Sequence, residues 1–204
     1  MTIPPVPIEE LGRCPQFRHL SSIAGIAVDL RYATPDNFAG RDLYSPFDCA
    51  WLHRDAAAAL ERGVAWLGVK QPGLTVLVLD ALRPQRVQEA LWAALEGTGL
   101  QEYLAEPARG SIHSFGMALD LTLIDAQGRE LDMGTGFDDL TWRSQPRHEA
   151  ELLARGELTR AQLDNRQLLR DMMAHAGFVG ILSEWWHYDC GDRNLVRAGF
   201  QRVL

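Results

Sequence analysis

Helical periods and strict alternation divide this chain into recognisable stretches. Residues 54–69 are alanine-rich, with apolar positions three and four apart, the spacing that lays one face of a helix on a core. Thr159 suits a helix N-cap and Gly177 its terminator, predicting a second long helix that ends near His175. Pro84 fits the first turn of a third helix running to about Leu95, where its missing N–H costs nothing. Strand patterns occupy residues 26–32, 74–79 and 117–124, with 185–189 and 199–203 as closing strands. A turn at Asp125-Ala126-Gln127-Gly128 predicts that residues 129–133 pair back as a hairpin. The proline-punctuated first 20 residues are expected to wrap the surface, and residues 96–110 to form a loop with a short helical turn. Residues 134–147 form a long irregular loop, a feature often functional in a compact domain. Strands and crossover helices do not alternate regularly. The pattern therefore predicts an α+β fold, a central, mainly antiparallel sheet with packed helices, in one domain over residues 1–204.

The segment SIHSFGMALDLTL, residues 111–123, breaks its own apolar pattern. In a strand Met117, Leu119, Leu121 and Leu123 point one way, and Ala118, Asp120 and Thr122 the other. A carboxylate is thus set apart from the core, with His113 just before it.

Composition narrows the chemistry. The chain has 204 residues, 47% hydrophobic and 23% charged, which is ordinary for a globular protein. A net charge of -7 and the lack of any run of Lys and Arg argue against nucleic acid or an anionic membrane surface as partner. The N-terminal stretch has no basic and apolar signal pattern, and no apolar run approaches the roughly 18 residues of a membrane span. Cys14, Cys49 and Cys190 are odd in number, far apart and form no CxxC, so they read as free thiols in a reducing compartment. A cytoplasmic protein acting on a small molecule is the expectation, with homo-oligomerisation left open.

The chain has six histidines, and of the five that could join His113 and Asp120 one stands in a suggestive context, His187 in Ser183-Glu184-Trp185-Trp186-His187-Tyr188. Two imidazoles and a carboxylate make an open zinc site, with the fourth position left to water. Glu184 could handle that water's proton, and Arg83, at a strand-to-helix turn, could face an oxyanion. Each residue alone has a plainer reading. His113 could be a satisfied side chain, Asp120 an edge charge, Glu184 a solvated carboxylate, Arg83 a surface residue, and both tryptophans core. Glu184 and His187 are three apart and would face opposite ways in a regular strand, so Glu184 is expected in a bend or bulge before it.

Ser111, His113, Gly116, Ala118 and Asp120, in the pattern SxHxxGxAxD, together with EWWHY at 184–188, resemble the zinc D-alanyl-D-alanine dipeptidases. The resemblance extends to DLRYATPDNFAG (29–40), to Asp80 and Arg83-Pro84, and to MGTGFDDL (133–140), in order along most of the chain. It implies the fold shared with zinc D-Ala-D-Ala carboxypeptidases and the Hedgehog signalling domain. It also implies hydrolysis of the dipeptide D-Ala-D-Ala, with one zinc ion per chain held by His113, Asp120 and His187. By the same resemblance Glu184 is the acid/base and Arg83 the transition-state arginine. Ser111, Tyr32, Tyr44 and Asp138 line the substrate pocket. Asp138 meets the dipeptide's ammonium, and Ser111 and backbone near Tyr44 meet its carboxylate. Ile112 and Phe115 depart from the family, where basic residues are common, as do Ala81 and Leu82 in DALRP. The alternatives are a zinc carboxypeptidase trimming longer cell-wall peptides and a zinc-binding module without catalysis.

Overall fold

A computed structural model describes residues 3–204. In chain order the elements are β1 (Phe17–His19), β2 (Ile26–Val28), β3 (Trp51–His53), α1 (Arg54–Lys70), β4 (Thr75–Asp80), α2 (Gln85–Ala94), β5 (Ala118–Ile124), α3 (Glu149–Ala154), α4 (Arg160–Ala176), β6 (Phe178–Gly180), β7 (His187–Cys190) and α5 (Arg193–Gly199). Five strands form one sheet in the order β2-β4-β5-β7-β6, and β1 and β3 form a separate antiparallel pair. Only the β2–β4 pair of the large sheet is parallel. The architecture is the expected α+β arrangement.

The long helices follow local rules. In α1, Ala56, Ala59, Leu60, Gly63 and Leu67 are buried along one face. Thr159 caps α4 in a capping box with Gln162, and Gly177 closes it in the left-handed conformation. The two helices pack on each other, α1 lying against β4 and β7 and α4 against β6. At their crossing a Cβ on Gly63 would stand 3.2 Å from the Ala176 Cβ, so glycine lets the backbones approach.

Several expectations shift. β5 is central, and all seven of its residues are buried, so the face carrying Ala118, Asp120 and Thr122 is covered as well as the apolar one. The hairpin is reduced to one bridge, Ile124 with Glu130, after which the chain departs as the long loop. The closing strand at 199–203 is likewise a single parallel bridge, Val203 with Val6, and α5 fills the preceding residues. The strands β1, β3 and β6 are three residues each, too short for periodicity to reveal. No helix is long and apolar enough to cross a membrane among the described residues.

Candidate metal and active site

Three strand ends converge on one cavity of about 260 Å³. β4 delivers Asp80 and, just beyond, Arg83. The β4–β5 ladder shifts register between Val78 and Asp80, bringing Asp80 opposite Asp120. β7 pairs with β5 so that His187 lies opposite Asp120. His113 comes from a 3-10 turn (Ile112–Phe115) that Ser111 caps, its Oγ accepting from the His113 N–H. Gly116 ends that turn at φ 64°, and a Cβ there would sit 2.7 Å from the His53 backbone nitrogen. The glycine of the GxAxD pattern thus turns the chain from His113 directly into β5. Glu184 lies outside the strand, in the bent segment before β7, which resolves the spacing conflict with His187.

Hydrogen bonds settle which atoms of the three converging side chains face one another. His113 Nδ1 donates to the Ala81 carbonyl at 2.7 Å, and His187 Nε2 donates to Asp189 Oδ1 at 3.0 Å. The remaining nitrogens, His113 Nε2 and His187 Nδ1, carry lone pairs. They stand 3.1 Å apart, and Asp120 Oδ1 is 3.3 Å from the first and 2.9 Å from the second. Ligand atoms on 2.0–2.1 Å zinc bonds at tetrahedral angles lie about 3.3 Å from one another. The triangle therefore has the size of one face of such a tetrahedron, and its two imidazoles carry the carbonyl and carboxylate partners that fix metal-ligating histidines. The electrostatics agree. Burial opposes a charge on His187, yet Asp189 and Asp120 outweigh it and push its imidazole up to about 10, so these carboxylates favour a cation at Nδ1, and a metal ion bound there takes the place of the proton. Burial likewise opposes the Asp120 carboxylate, and His113 and His187 outweigh it and hold Asp120 far below the usual range. Three acceptors so arranged call for a cation, and the residues fit a metal ion.

Around this triangle the cavity is polar and mostly closed. Glu184 is 8% exposed, and burial pushes its carboxyl up to about 7, with His187 pulling the other way. Arg83 is buried and, despite the cost of burial, held charged by Asp80 and Asp120. Its Nε and one terminal nitrogen donate to Asp80 Oδ2 at 2.8 and 2.6 Å. The same terminal nitrogen reaches Asp120 Oδ2 at 3.2 Å, and the other reaches Gln88 Oε1 at 3.2 Å. A guanidinium has five N–H donors. These four bonds leave one N–H free.

Asp138 adopts φ 60° on the loop after the β5 turn. It accepts from the Tyr32 hydroxyl at 3.0 Å through Oδ1, while Oδ2 is buried without a hydrogen-bond partner. Burial pushes its carboxyl well up. The loop is pinned from α4, where buried Arg166 donates to the carbonyls of Met133 and Arg143 at 2.8 and 3.0 Å. Trp185 Nε1 donates to Thr135 Oγ1 at 2.9 Å on the same loop. Tyr32, Ser111 and Asp138 line the cavity with His113, Asp120, His187, Glu184 and Arg83. Tyr44 does not: its hydroxyl donates to Asp80 Oδ1, and its backbone N–H goes to Asp42 and the Tyr32 carbonyl. Tyr44 is set behind the cavity rather than on its lining, and its hydroxyl steadies the carboxylate that holds Arg83.

Comparison with known proteins bears on this geometry. The family model described as D-ala-D-ala dipeptidase, peptidase family M15, matches residues 17–203. The chain belongs to this family. A D-alanyl-D-alanine dipeptidase of Escherichia coli K12 is 39% identical over 164 residues, 80% of this chain and 78% of that one. Another, from Enterococcus faecalis, is 32% identical over 187 residues, 82% of this chain and 87% of that protein. Among solved structures, the LD-carboxypeptidase LdcB aligns with a TM-score of 0.48 at 14% identity, over 90% of this chain and 72% of that one. As a member of the dipeptidase family the chain is a peptidase.

Other residues of this peptidase's cavity escaped the sequence reading. Asp189, two positions beyond His187 on the same strand face, bridges His187 and Arg193, and that i, i+2 spacing was a usable signal. Gln88, which lies behind Arg83 rather than on the cavity lining, and the arginines of α5 left no signal, because nothing local marks a helix residue as facing a distant strand end.

Proposed function

We propose that this peptidase hydrolyses the free dipeptide D-Ala-D-Ala, with one zinc ion held by His113, Asp120 and His187. The observation that carries the reading is the triangle of His113 Nε2, Asp120 Oδ1 and His187 Nδ1, sized for a tetrahedral metal and sharing one cavity with Glu184. The names of the relatives support the substrate. Zinc, when bound, supplies Lewis acidity and makes water acidic enough to attack near neutral pH. Glu184, with its carboxyl near 7, takes a proton from the attacking water and returns it to the leaving amine. Arg83 offers its uncommitted N–H to the oxyanion, and its other bonds keep the guanidinium from moving as charge develops.

Asp138 receives the substrate's ammonium on Oδ2, which restores the charge that burial disfavours. Tyr32 orients that carboxylate from the other oxygen. Ser111, at the cap of the turn carrying His113, serves the carboxylate end. The two ends of a free dipeptide are thus both read, which excludes longer peptides.

The test is metal analysis of the purified protein, followed by assays on D-Ala-D-Ala, L-Ala-L-Ala and a tripeptide ending in D-Ala-D-Ala. Stoichiometric zinc and turnover of D-Ala-D-Ala alone are expected. Turnover of the tripeptide alone would make it a carboxypeptidase, and zinc without any turnover a binding module.

A further inference from the structure

The sequence has no basic run, yet the fold gathers Arg109, Arg193 and Arg197 along one wall of the cavity, beside Ser111. They come from the loop before the 3-10 turn and from α5. One carboxylate answers them. Arg193 Nε donates to Asp189 Oδ2 at 2.5 Å, and Asp189 is already engaged with His187. Arg197 spends its Nε on the Gly110 carbonyl at 3.1 Å and forms no ion pair among the described residues. The Arg109 guanidinium makes neither a hydrogen bond nor an ion pair among them. Burial, and then the charges of Arg109 and Arg193, hold Arg197 below its ordinary value, so Arg197 feels both neighbouring guanidiniums. Arg109 and Arg193 are exposed at the cavity's edge and Arg197 is half-buried, so solvent screens part of their repulsion, and an anion between them removes what remains.

We infer that Arg109, Arg193 and Arg197 form, with Ser111, the subsite that takes the free carboxylate of the dipeptide's C-terminal residue. The inference rests on the dipeptidase reading and deepens it. Its geometry follows from the leaving group. Glu184 protonates the leaving nitrogen, and the carboxylate of that same residue lies only two bonds further on, across its Cα. Arg193 stands near enough to Glu184 for its charge to oppose the rise of that carboxyl. Arg197, by holding Gly110, fixes the residue just before Ser111. Asp138 lines the same cavity and suits the ammonium. The cavity therefore offers receptors for both charges of a dipeptide zwitterion, arginines for the carboxylate and Asp138 for the ammonium.

The test compares D-Ala-D-Ala with D-Ala-D-alaninamide, which keeps the scissile bond and loses the carboxylate. In a Glu184→Gln background, which holds substrate without turning it over, calorimetry should give at least about tenfold tighter binding of the acid, the effect of one charge-assisted hydrogen bond. Adding Arg109→Met should erase most of that preference, and Arg109→Lys should retain it. In the active enzyme Arg109→Met should raise KM for the acid about tenfold, with kcat within about twofold and the amide unaffected. Arg109 is chosen because its guanidinium makes no hydrogen bond or ion pair among the described residues. An acid-over-amide preference that survives both Arg109→Met and Arg197→Met would overturn the subsite while leaving the dipeptidase standing. Binding of neither compound would overturn both.

Discussion

Replacing Glu184 by Gln should stabilise the metal-free protein while abolishing turnover, and the size of the gain follows from burial. The Glu184 carboxyl is pushed from 4.5 up to about 7, chiefly because its surroundings solvate the anion poorly. A carboxyl whose folded pKa lies above its unfolded value binds more protons in the folded state. Its contribution is fully present below about pH 4.5 and is lost as pH rises through 7. The span of about 2.5 units, at about 1.36 kcal/mol each, is worth about 3 kcal/mol. Glutamine has the same shape and never ionises, so the variant should exceed the parent by about 0.8 kcal/mol at pH 5 and about 3 kcal/mol at pH 8. In a chain of this length the larger figure corresponds to about 6–12 °C in Tm. Urea titrations of chelator-treated protein at the two pH values measure the difference directly. Added zinc should narrow it, since a nearby cation stabilises the carboxylate. Equal stability of parent and variant at pH 8 would refute the claim that Glu184 is held in a desolvated site. A difference that did not vary with pH would assign the effect to packing.

Three further outcomes are expected. Asp138→Asn keeps the shape and tolerates the left-handed backbone at this position, so it removes only the capacity for charge; KM for D-Ala-D-Ala should rise at least about tenfold, the loss of a charged hydrogen bond, while Tm of the substrate-free protein at neutral pH should rise rather than fall, because burial pushes this carboxyl well up. Asp189→Asn removes the carboxylate that orients His187, and zinc affinity in a chelator competition should fall about 10- to 100-fold. Arg83→Met leaves Asp80 and Asp120 buried without their cation; denaturant titration of the metal-free protein should lose about 3–5 kcal/mol, and kcat should fall with it.

The long helices were legible because their signals are local. An apolar face repeats every turn in α1, and Thr159 and Gly177 mark the ends of α4 by side-chain and backbone chemistry that involves only neighbouring residues. The short strands were not, since three residues carry no period and owe their extended shape to a partner strand. The expected hairpin after Gly128 closed its turn but paired only once, because the chain is drawn away toward α4 by Arg166 and Gln162.

The site divides along the same line. Residue types and spacing were enough to nominate His113, Asp120, His187 and Glu184, and to require that Glu184 sit outside the strand that carries His187. Which nitrogen of each histidine faces inward depended on Ala81 and Asp189, set by strand order and by the register shift at Asp80. That the Tyr44 hydroxyl meets Asp80 behind the cavity is likewise decided by the fold. The arginines reverse a sequence impression altogether: 84 residues separate Arg109 from Arg193, yet they line one wall. A chain with no basic run thus builds a basic pole, because charge adds by distance in space, and only the fold sets those distances.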